Sequence, residues 1–298
     1  AMAEAIREDL AAMIARQQRL VAARVRDARG DLYRVRRQTA FSYEAVAFLG
    51  LDRSVDIVTS IAMFYDVDDP ARFIWDVSKL LAPAGLWVLQ QNFAPIVMEN
   101  NAVDFVSHEH LTYWSLRVLE DALASAALEV YRVEAFPLNG GTYRVFIDHR
   151  GFRPVEKSVE QIRERETLAN SPQAWREFKE RVDRNGERLR ALLADLKAQG
   201  KLVLALAAST RGQSLLQYYG LSVSHIPAVS DRDPNKLGKL LAGTGIPIVS
   251  EEDARKMKPD YYLVMIYSYL DQLIEREKEW LSNGGKFIIP LPEVKVWP

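Results

Sequence analysis

Cysteine is absent from this chain of 298 residues, which excludes disulfide bonds, thiolate catalysis and cysteine-ligated zinc. Long apolar runs are also lacking, because no stretch approaches the ~18 uninterrupted apolar residues that a membrane-spanning helix needs. Neither sign of charge is in excess: the formal net charge is −1, and no basic block indicates contact with nucleic acid or an anionic membrane. We therefore expect a cytoplasmic protein with no nucleic-acid or membrane partner, and the composition leaves its oligomeric state open.

Alternating strand and helix patterns in the first half of the chain predict an α/β fold. The hydrophobic content of 48% can support the cores of two domains. The order of the patterns is strand, helix, strand, helix and then an antiparallel pair. The predicted elements are a strand Val55–Ile61, a helix Pro70–Leu81, a turn Pro83–Gly85, a strand Leu86–Phe93, a helix Leu116–Ala127 and a hairpin of Glu129–Ala135 with Thr142–Ile147.

The second half of the chain predicts long helices followed by a smaller parallel sheet with helices on both faces. Residues 154–196 are highly charged, but apolar residues recur at helical spacing, which predicts one or two long helices. The strands predicted beyond them are Leu202–Ala207, Ile226–Ser230, Ile246–Val249, Tyr261–Ile266 and Lys286–Ile289, with a helix Leu270–Leu281. We expect one domain over residues 1–150, a helical linker over 151–199 and a second domain over 200–298.

A cluster of polar side chains, Ser107-His108-Glu109-His110-Leu111-Thr112-Tyr113-Trp114-Ser115-Leu116, lies between a predicted strand and a predicted helix. α/β proteins often place their chemistry at such positions. His108 and His110 on an extended backbone would face the same way, as metal ligands do, but the sequence offers only weak candidates for a third ligand. General acid–base chemistry is the better fit, because a histidine beside a carboxylate and a phenol can move protons near neutral pH. Solvated loop histidines are the ordinary alternative.

Two further stretches are candidates for ligand binding. Ser209-Thr210-Arg211 opens a predicted helix, where hydroxyls, a guanidinium and free amides could bind an anion. Asp231 ends the next strand, about where dinucleotide folds place a ribose-binding acid. In Asn139-Gly140-Gly141, followed by Arg144, the glycines could let the backbone approach a ligand. A tight strand–helix turn and a simple hairpin turn are the alternatives.

Together these stretches resemble the sugar C-methyltransferase family, which acts on nucleotide-linked ketosugars in deoxysugar and antibiotic biosynthesis. The segment Ser107–Leu116 looks like the family's (Y/C)HEHL-x-Y-(F/Y)-S motif, and the resemblance covers roughly residues 41 to 293. The other stretches that carry it are Met63–Pro70, Asn139–Gly141, Ala208–Leu216, Gly243–Ile248 and Phe287–Pro292.

The resemblance implies transfer of a methyl group from S-adenosylmethionine to a carbon next to a ketone. It implies a class I methyltransferase-like (Rossmann-like) domain followed by a smaller Rossmann-like α/β domain, with the nucleotide-sugar between them. His110 would be the base that forms the enolate, Glu109 would orient the sugar, and His108 would support the loop. Tyr113 is the fourth residue expected in the catalytic group. The residues implied to contact the cofactor are Ser60, Met63, Phe64 and Gln90. Those implied to contact the substrate are Asn139, Gly141, Arg144, Ser209, Arg211 and Asp231.

The sequence departs from the family pattern within the motif, where Ser107 replaces an aromatic residue or cysteine and Trp114 replaces Phe or Tyr, and in two larger segments. The family's cysteine-rich zinc-binding segment is not present, and no metal is expected. Only Gly30 to Ala40 lie where a strand and a glycine-rich cofactor loop should fall, so we expect the first domain to be incomplete in its N-terminal half. The alternative function is therefore a methyltransferase-like protein that binds, epimerises or isomerises a sugar-nucleotide without methyl transfer.

Overall fold

A computed structural model describes residues 53–107, 109–136, 140–167 and 171–297, all of which belong to one compact unit. The incomplete half-domain predicted around Gly30–Ala40, together with His108 and Asn139, lies outside the described residues. Within the described ranges, none of the helices is long and apolar enough to cross a bilayer. The division into two domains and a linker stays a prediction.

The described strands form two sheets, and helices pack around them. The strands are β1 Val55–Ile61, β2 Leu81–Gln91, β3 Leu128–Phe136, β4 Thr142–His149, β5 Val203–Leu206, β6 Val229–Asp231, β7 Ile248–Ser250, β8 Tyr261–Val264, β9 Lys286–Ile289 and β10 Lys295–Trp297. The α-helices are α1 Pro70–Leu80, α2 Ala94–Glu99, α3 Leu116–Ala124, α4 Lys157–Glu166, α5 Pro172–Ala198, α6 Thr210–Tyr218, α7 Glu251–Lys256, α8 Leu270–Arg276 and α9 Lys278–Ser282. This arrangement confirms the α/β fold class.

The first sheet has the order β1-β2-β4-β3, with β1 parallel to β2 and the remaining pairs antiparallel. The predicted hairpin is confirmed as β3 and β4. The predicted turn at Pro83–Gly85 is wrong, because these residues are an irregular part of one long strand, β2. The β1 register jumps there from Leu81 opposite Val55 to Leu86 opposite Ile57. Pairing therefore resumes beyond the bulge, as it does around an irregular strand insertion.

The second sheet has the order β10-β9-β8-β5-β6-β7, and all of its pairs are parallel except β9 with β10. The parallel sheet is thus confirmed, with an antiparallel edge strand that the sequence analysis missed. The single helix predicted over Leu270–Leu281 is instead two helices, α8 and α9, divided at Glu277. The Glu277 side chain is buried and pairs with Arg255 and Arg276, which fixes it inside the packed layer.

The long helix α5 contacts the helix α2, which follows β2 of the first sheet, and the strand β5 of the second sheet. Its Asn185 side chain donates to the carbonyl of Pro290 at 2.7 Å and accepts from the amide of Val294 at 2.9 Å. Both partners of Asn185 belong to the segment that follows β9, so the helix fixes the course of that segment.

A buried carboxyl group at the end of α4 should make folding stability depend on pH. Glu166 is only 2% exposed, and its Oε2 accepts from the Leu116 amide at 2.8 Å, at the N-terminus of α3. Burial raises the pKa of Glu166 to about 7, although hydrogen bonds from the backbone amides of Leu116 and Arg117 oppose the rise. Stability from this group is therefore present at low pH and is lost as pH rises from about 4.5 to about 7, by roughly 3 kcal/mol.

Glu166→Gln should remove that loss, because the amide stays neutral and its oxygen still accepts from Leu116. In urea unfolding, the variant should gain stability relative to the natural chain at pH 8 and not at pH 5. Glu164→Gln, at an exposed position of the same helix, is the matched control and should behave alike at both pH values. If the unfolding free energy of Glu166→Gln differed from that of the natural chain by the same amount at pH 5 and pH 8, the prediction would be contradicted.

Candidate active site

The loop that carries the HEH motif is anchored on the turn after β1. The amides of Leu111 and Thr112 both donate to the carbonyl of Tyr65, at 2.9 and 3.1 Å. Tyr65 itself belongs to a short 3-10 helix, Phe64–Asp66. The motif therefore lies at the end of β1, close to the point where the adjacent parallel strand β2 also ends.

His110 is held by a backbone carbonyl and two aromatic rings. Its Nδ1 lies 2.5 Å from the carbonyl oxygen of Phe105. Because a carbonyl can only accept, Nδ1 carries the proton and Nε2 keeps a free lone pair. The imidazole centroid is 4.1 Å from the Phe105 ring and 4.4 Å from the Tyr65 ring. The imidazole of His110 is thus half-buried, and its orientation is fixed on one side.

The surroundings of His110 favour the neutral imidazole. Burial lowers the pKa of His110 below 6.5, and the nearby Arg211 cation lowers it further, while the hydrogen bond from Nδ1 to Phe105 opposes both. Tyr65 has the opposite character, since burial and the neighbouring Asp66 raise its pKa to about 12. Its phenol therefore stays protonated near neutral pH and can act only as a hydrogen-bond donor or acceptor.

A second part of the site comes from two segments that follow strands of the second sheet, one after β5 and the other after β8. Arg211, in the first turn of α6, makes an ion pair with Asp104 at 2.8 Å between Nη2 and Oδ2. The Tyr267 hydroxyl lies 3.0 Å from the same Nη2. Asp104 is in the 3-10 helix Val103–Phe105, directly before the HEH loop. Neither Asp104 nor Tyr267 was predicted from the sequence, although a lone acid between Val103 and Phe105 is a signal of a buried, paired charge.

The glycine stretch meets the same group of side chains. A Cβ on Gly140 would lie 3.2 Å from the Tyr267 hydroxyl and 3.4 Å from Arg211 Nη2. The carbonyl of Gly140 accepts from Asn100 Nδ2 at 2.7 Å, and that of Gly141 accepts from Asn92 Nδ2 at 2.5 Å. The structure therefore brings Gly140, Arg211 and the segment directly before the HEH loop close together.

Gly141→Ala should destabilise the fold, because this position needs both a left-handed backbone and the lack of a side chain. Its φ is +110°, and a Cβ would lie 2.8 Å from Ile96 and 2.9 Å from Asn100. We expect a loss of about 2–4 kcal/mol in unfolding free energy, measured by urea denaturation. Gly284→Ala, at φ +93° with open space around it, has the backbone strain alone and should lose about half as much. Equal losses would show that the contacts around Gly141 carry no cost.

Ser209 and Asp231 are used to build the loop in front of α6. The Ser209 hydroxyl caps the helix by accepting from the Gly212 amide at 3.0 Å. Asp231 accepts from the amides of Ala208 at 2.7 Å and Asp233 at 2.8 Å. Burial raises the pKa of Asp231, but these amide hydrogen bonds and the neighbouring Lys236 cation together outweigh it, so the pKa lies below its ordinary value. Substrate contact by either residue stays a prediction.

Three of the four residues predicted to bind the cofactor have buried side chains with partners in the core. Phe64 is fully buried and stacks on Trp114 at 5.0 Å, and the Ser60 hydroxyl accepts from the Trp87 indole at 3.1 Å. Gln90 donates to the buried Thr142 hydroxyl at 3.3 Å and accepts from Arg144 Nε at 2.9 Å. Met63 alone is half-buried. These four side chains do not by themselves fit a molecule the size of S-adenosylmethionine.

The remaining predicted site residues differ in exposure. Glu109 is exposed beside His110, and Tyr113 is half-buried. Burial raises the pKa of Tyr113, although a hydrogen bond to the Ser107 backbone opposes the rise. Arg144 leaves its guanidinium partly open to solvent over the Phe136 ring. Over the ranges that the structure describes, no three His, Asp or Glu side chains come together in a way that could hold a metal ion.

Comparison with known proteins identifies the family. Residues 137–292, just over half of the chain, match the model of the C-methyltransferase C-terminal domain. The chain is 36% identical over 238 residues to the C-methyltransferase NovU of Streptomyces niveus, an alignment that covers 78% of this chain and 56% of that relative. One chain of a solved complex between the Haloferax volcanii Trm112 methyltransferase activator and a methyltransferase is 21% identical, with a TM-score of 0.28 over 33% of this chain and 56% of that one. That structural likeness supports no conclusion. The family match and the described α/β fold agree, and the chain belongs to the C-methyltransferase family.

Proposed function

We propose that this chain belongs to an enzyme that methylates a carbon atom next to a ketone, on a sugar linked to a nucleotide. The methyl donor that the family implies is S-adenosylmethionine. The observation that carries the proposal is the tautomer of His110. Its Nδ1 is hydrogen-bonded to the Phe105 carbonyl, which leaves the Nε2 lone pair free. A base of this kind is what the first half of the reaction requires.

The proposed step is removal of a proton from the carbon beside the ketone. The C–H bond breaks, the proton moves to Nε2 of His110, and the electron pair is delocalised onto the carbonyl oxygen as an enolate. The negative charge that develops needs preorganised donors or cations nearby. The protonated Tyr65 phenol is proposed to donate to this oxygen, since the Tyr65 ring centroid lies 4.4 Å from that of the imidazole.

Substrate contacts extend this proposal to the other residues named from the sequence. Glu109, exposed beside His110, is proposed to accept hydrogen bonds from sugar hydroxyls, and Arg144 to interact with an anionic group. The glycine stretch that ends at Gly141 would let the backbone approach the sugar. The helix N-terminus behind Ser209 would face the negatively charged nucleotide.

Deuterium exchange tests the proton-transfer step without any methyl donor. The natural chain is incubated in D₂O with a panel of nucleotide-linked ketosugars, and deuterium at the carbon beside the ketone is followed by NMR. We expect incorporation that depends on the protein. If the folded chain catalysed exchange with none of the ketosugars in the panel, the assignment would be overturned.

The pH dependence of this exchange is a further prediction. A general base acts in its neutral form, so the rate should fall as pH drops through the pKa of His110. Because burial and Arg211 lower that pKa below 6.5, the midpoint of the decline should lie below pH 6.5. A midpoint above pH 7 in the profile of kcat/KM would contradict the described surroundings of His110.

A second candidate function is proton exchange or epimerisation of the ketosugar without methyl transfer. The buried positions of Phe64, Ser60 and Gln90 favour it, since these side chains are engaged within the protein. Titration calorimetry with S-adenosylmethionine separates the two functions. Binding at micromolar concentration, with methyl transfer to the exchanged carbon, supports the first; exchange that is independent of the donor, without measurable binding, supports the second.

A further inference from the structure

Asp104, Arg211 and Tyr267 form a closed triangle of hydrogen bonds. The Tyr267 hydroxyl donates to the Asp104 carboxylate, at 3.0 Å from Oδ1 and 3.1 Å from Oδ2. Arg211 Nη2 donates to the Tyr267 oxygen at 3.0 Å and lies 2.8 Å from Asp104 Oδ2. The Asp104 side chain is 2% exposed and that of Arg211 is 23% exposed. Such charge-assisted bonds in a dry setting hold their groups in fixed positions.

The three residues come from distant parts of the chain. Asp104 belongs to the 3-10 helix Val103–Phe105, Arg211 to α6, and Tyr267 to the turn that follows β8. Tyr267 and Asp104 are 163 residues apart in sequence. The triangle therefore ties the sheet that contains β5 and β8 to the segment directly in front of the HEH loop.

One residue connects the triangle to the base. Phe105 follows Asp104, and its carbonyl oxygen is the acceptor for Nδ1 of His110. The Phe105 ring lies 4.1 Å from the imidazole, and the Arg211 guanidinium carbon lies 5.9 Å from the Phe105 ring centroid. A shift of the 3-10 helix would move the carbonyl and the ring together, and His110 would lose the contact that fixes its tautomer.

We propose that Asp104, Arg211 and Tyr267 are positioning residues that keep the Phe105 carbonyl in place and so hold His110 as the Nδ1–H tautomer with Nε2 available as the base. This inference rests on the proposed function for its consequence in catalysis. The tautomer itself is a property of the free protein and can be measured without substrate. None of the three side chains needs to touch the reacting carbon.

A competing role for Arg211 is direct contact with the substrate, as the sequence analysis predicted. The two roles differ in kinetics. Loss of a substrate contact that is equal in ground state and transition state raises KM and leaves kcat unchanged. Loss of alignment of the base lowers kcat, and a misplacement of about 1 Å can cost about 10²-fold.

The first test reads the histidine tautomer by long-range ¹H–¹⁵N NMR on the full chain labelled in its four histidines. His110→Asn identifies the signals of His110. In the natural chain we expect His110 in the Nδ1–H form, and in Tyr267→Phe and Asp104→Asn a shift towards the Nε2–H form. Tyr267→Phe keeps the ring, so it gives a result even where the loss of the Asp104 charge prevents folding. An unchanged Nδ1–H form in both variants would overturn the proposal.

The second test measures deuterium exchange in the same variants. We expect kcat for exchange to fall by about 10²-fold in Tyr267→Phe, with KM within about twofold of the natural chain. Tyr218→Phe is the matched control. Tyr218 is the last residue of α6, the helix that also carries Arg211, and its hydroxyl donates an exposed hydrogen bond to Asp183. A rise in KM with unchanged kcat would overturn the positioning role. A tautomer shift in a protein that catalyses no exchange would instead leave the positioning role standing and remove the proposed function.

Discussion

Replacing His110 by asparagine should lower the rate of deuterium exchange at the carbon beside the ketone by about 10²–10⁴-fold, the usual contribution of a general base. Asparagine keeps a side-chain donor that can reach the Phe105 carbonyl, so the loop should keep its anchor. It has no nitrogen with a free lone pair, so nothing at this position can take the proton. The loss should appear in kcat, measured by NMR with saturating ketosugar.

His225→Asn is the matched control for the loss of an imidazole. Nδ1 of His225 interacts with Ser222 and Ser224 in a separate turn before β6. We expect exchange within about a factor of two of the natural rate. Full exchange by a folded His110→Asn chain would remove His110 from the mechanism and, with it, the main support for the proposed function.

Much of the local structure could be predicted because it depends on short-range patterns. The β-branched run Val55–Ile61 is a strand with the predicted bounds, and so is Lys286–Ile289. The HEH loop was identified as a candidate site because it concentrates titratable groups in a few residues. Both signals lie within about ten residues of sequence, which is the range over which propensity and periodicity act.

The contacts that complete the site are of another kind. The Asp104–Tyr267 hydrogen bond depends on how two sheets pack, and no local pattern predicts the register between residues so far apart. For the same reason, Phe64 could not be recognised as a core residue that stacks on Trp114. An aromatic residue at the end of a strand is compatible with either a ligand or a core, and only its tertiary neighbours decide between them.

Arg211→Met should cost about 3 kcal/mol or more of unfolding free energy, because it leaves the Asp104 carboxylate buried without its cation. Methionine fills much of the same volume, so the loss would come from the charge and not from a cavity. Domains of this size are stabilised by only about 5–15 kcal/mol in total, and a loss of this magnitude is readily measured by urea denaturation. Arg232→Met is the control, since Arg232 is 70% exposed and its pair with Glu251 is 3.8 Å long. Surface pairs of this type contribute about 0–1 kcal/mol.

The double variant Asp104→Asn with Arg211→Met separates the ion pair from every other role of Arg211. With the carboxylate replaced by a neutral amide, no charge is left unpaired, and the double variant should be more stable than Arg211→Met alone. The coupling free energy from the four proteins should be at least about 1–2 kcal/mol, as for residues in direct contact. Simple additivity of the two losses would show that Asp104 and Arg211 do not depend on each other. The ion pair would then contribute nothing to holding α6 against the segment before the HEH loop.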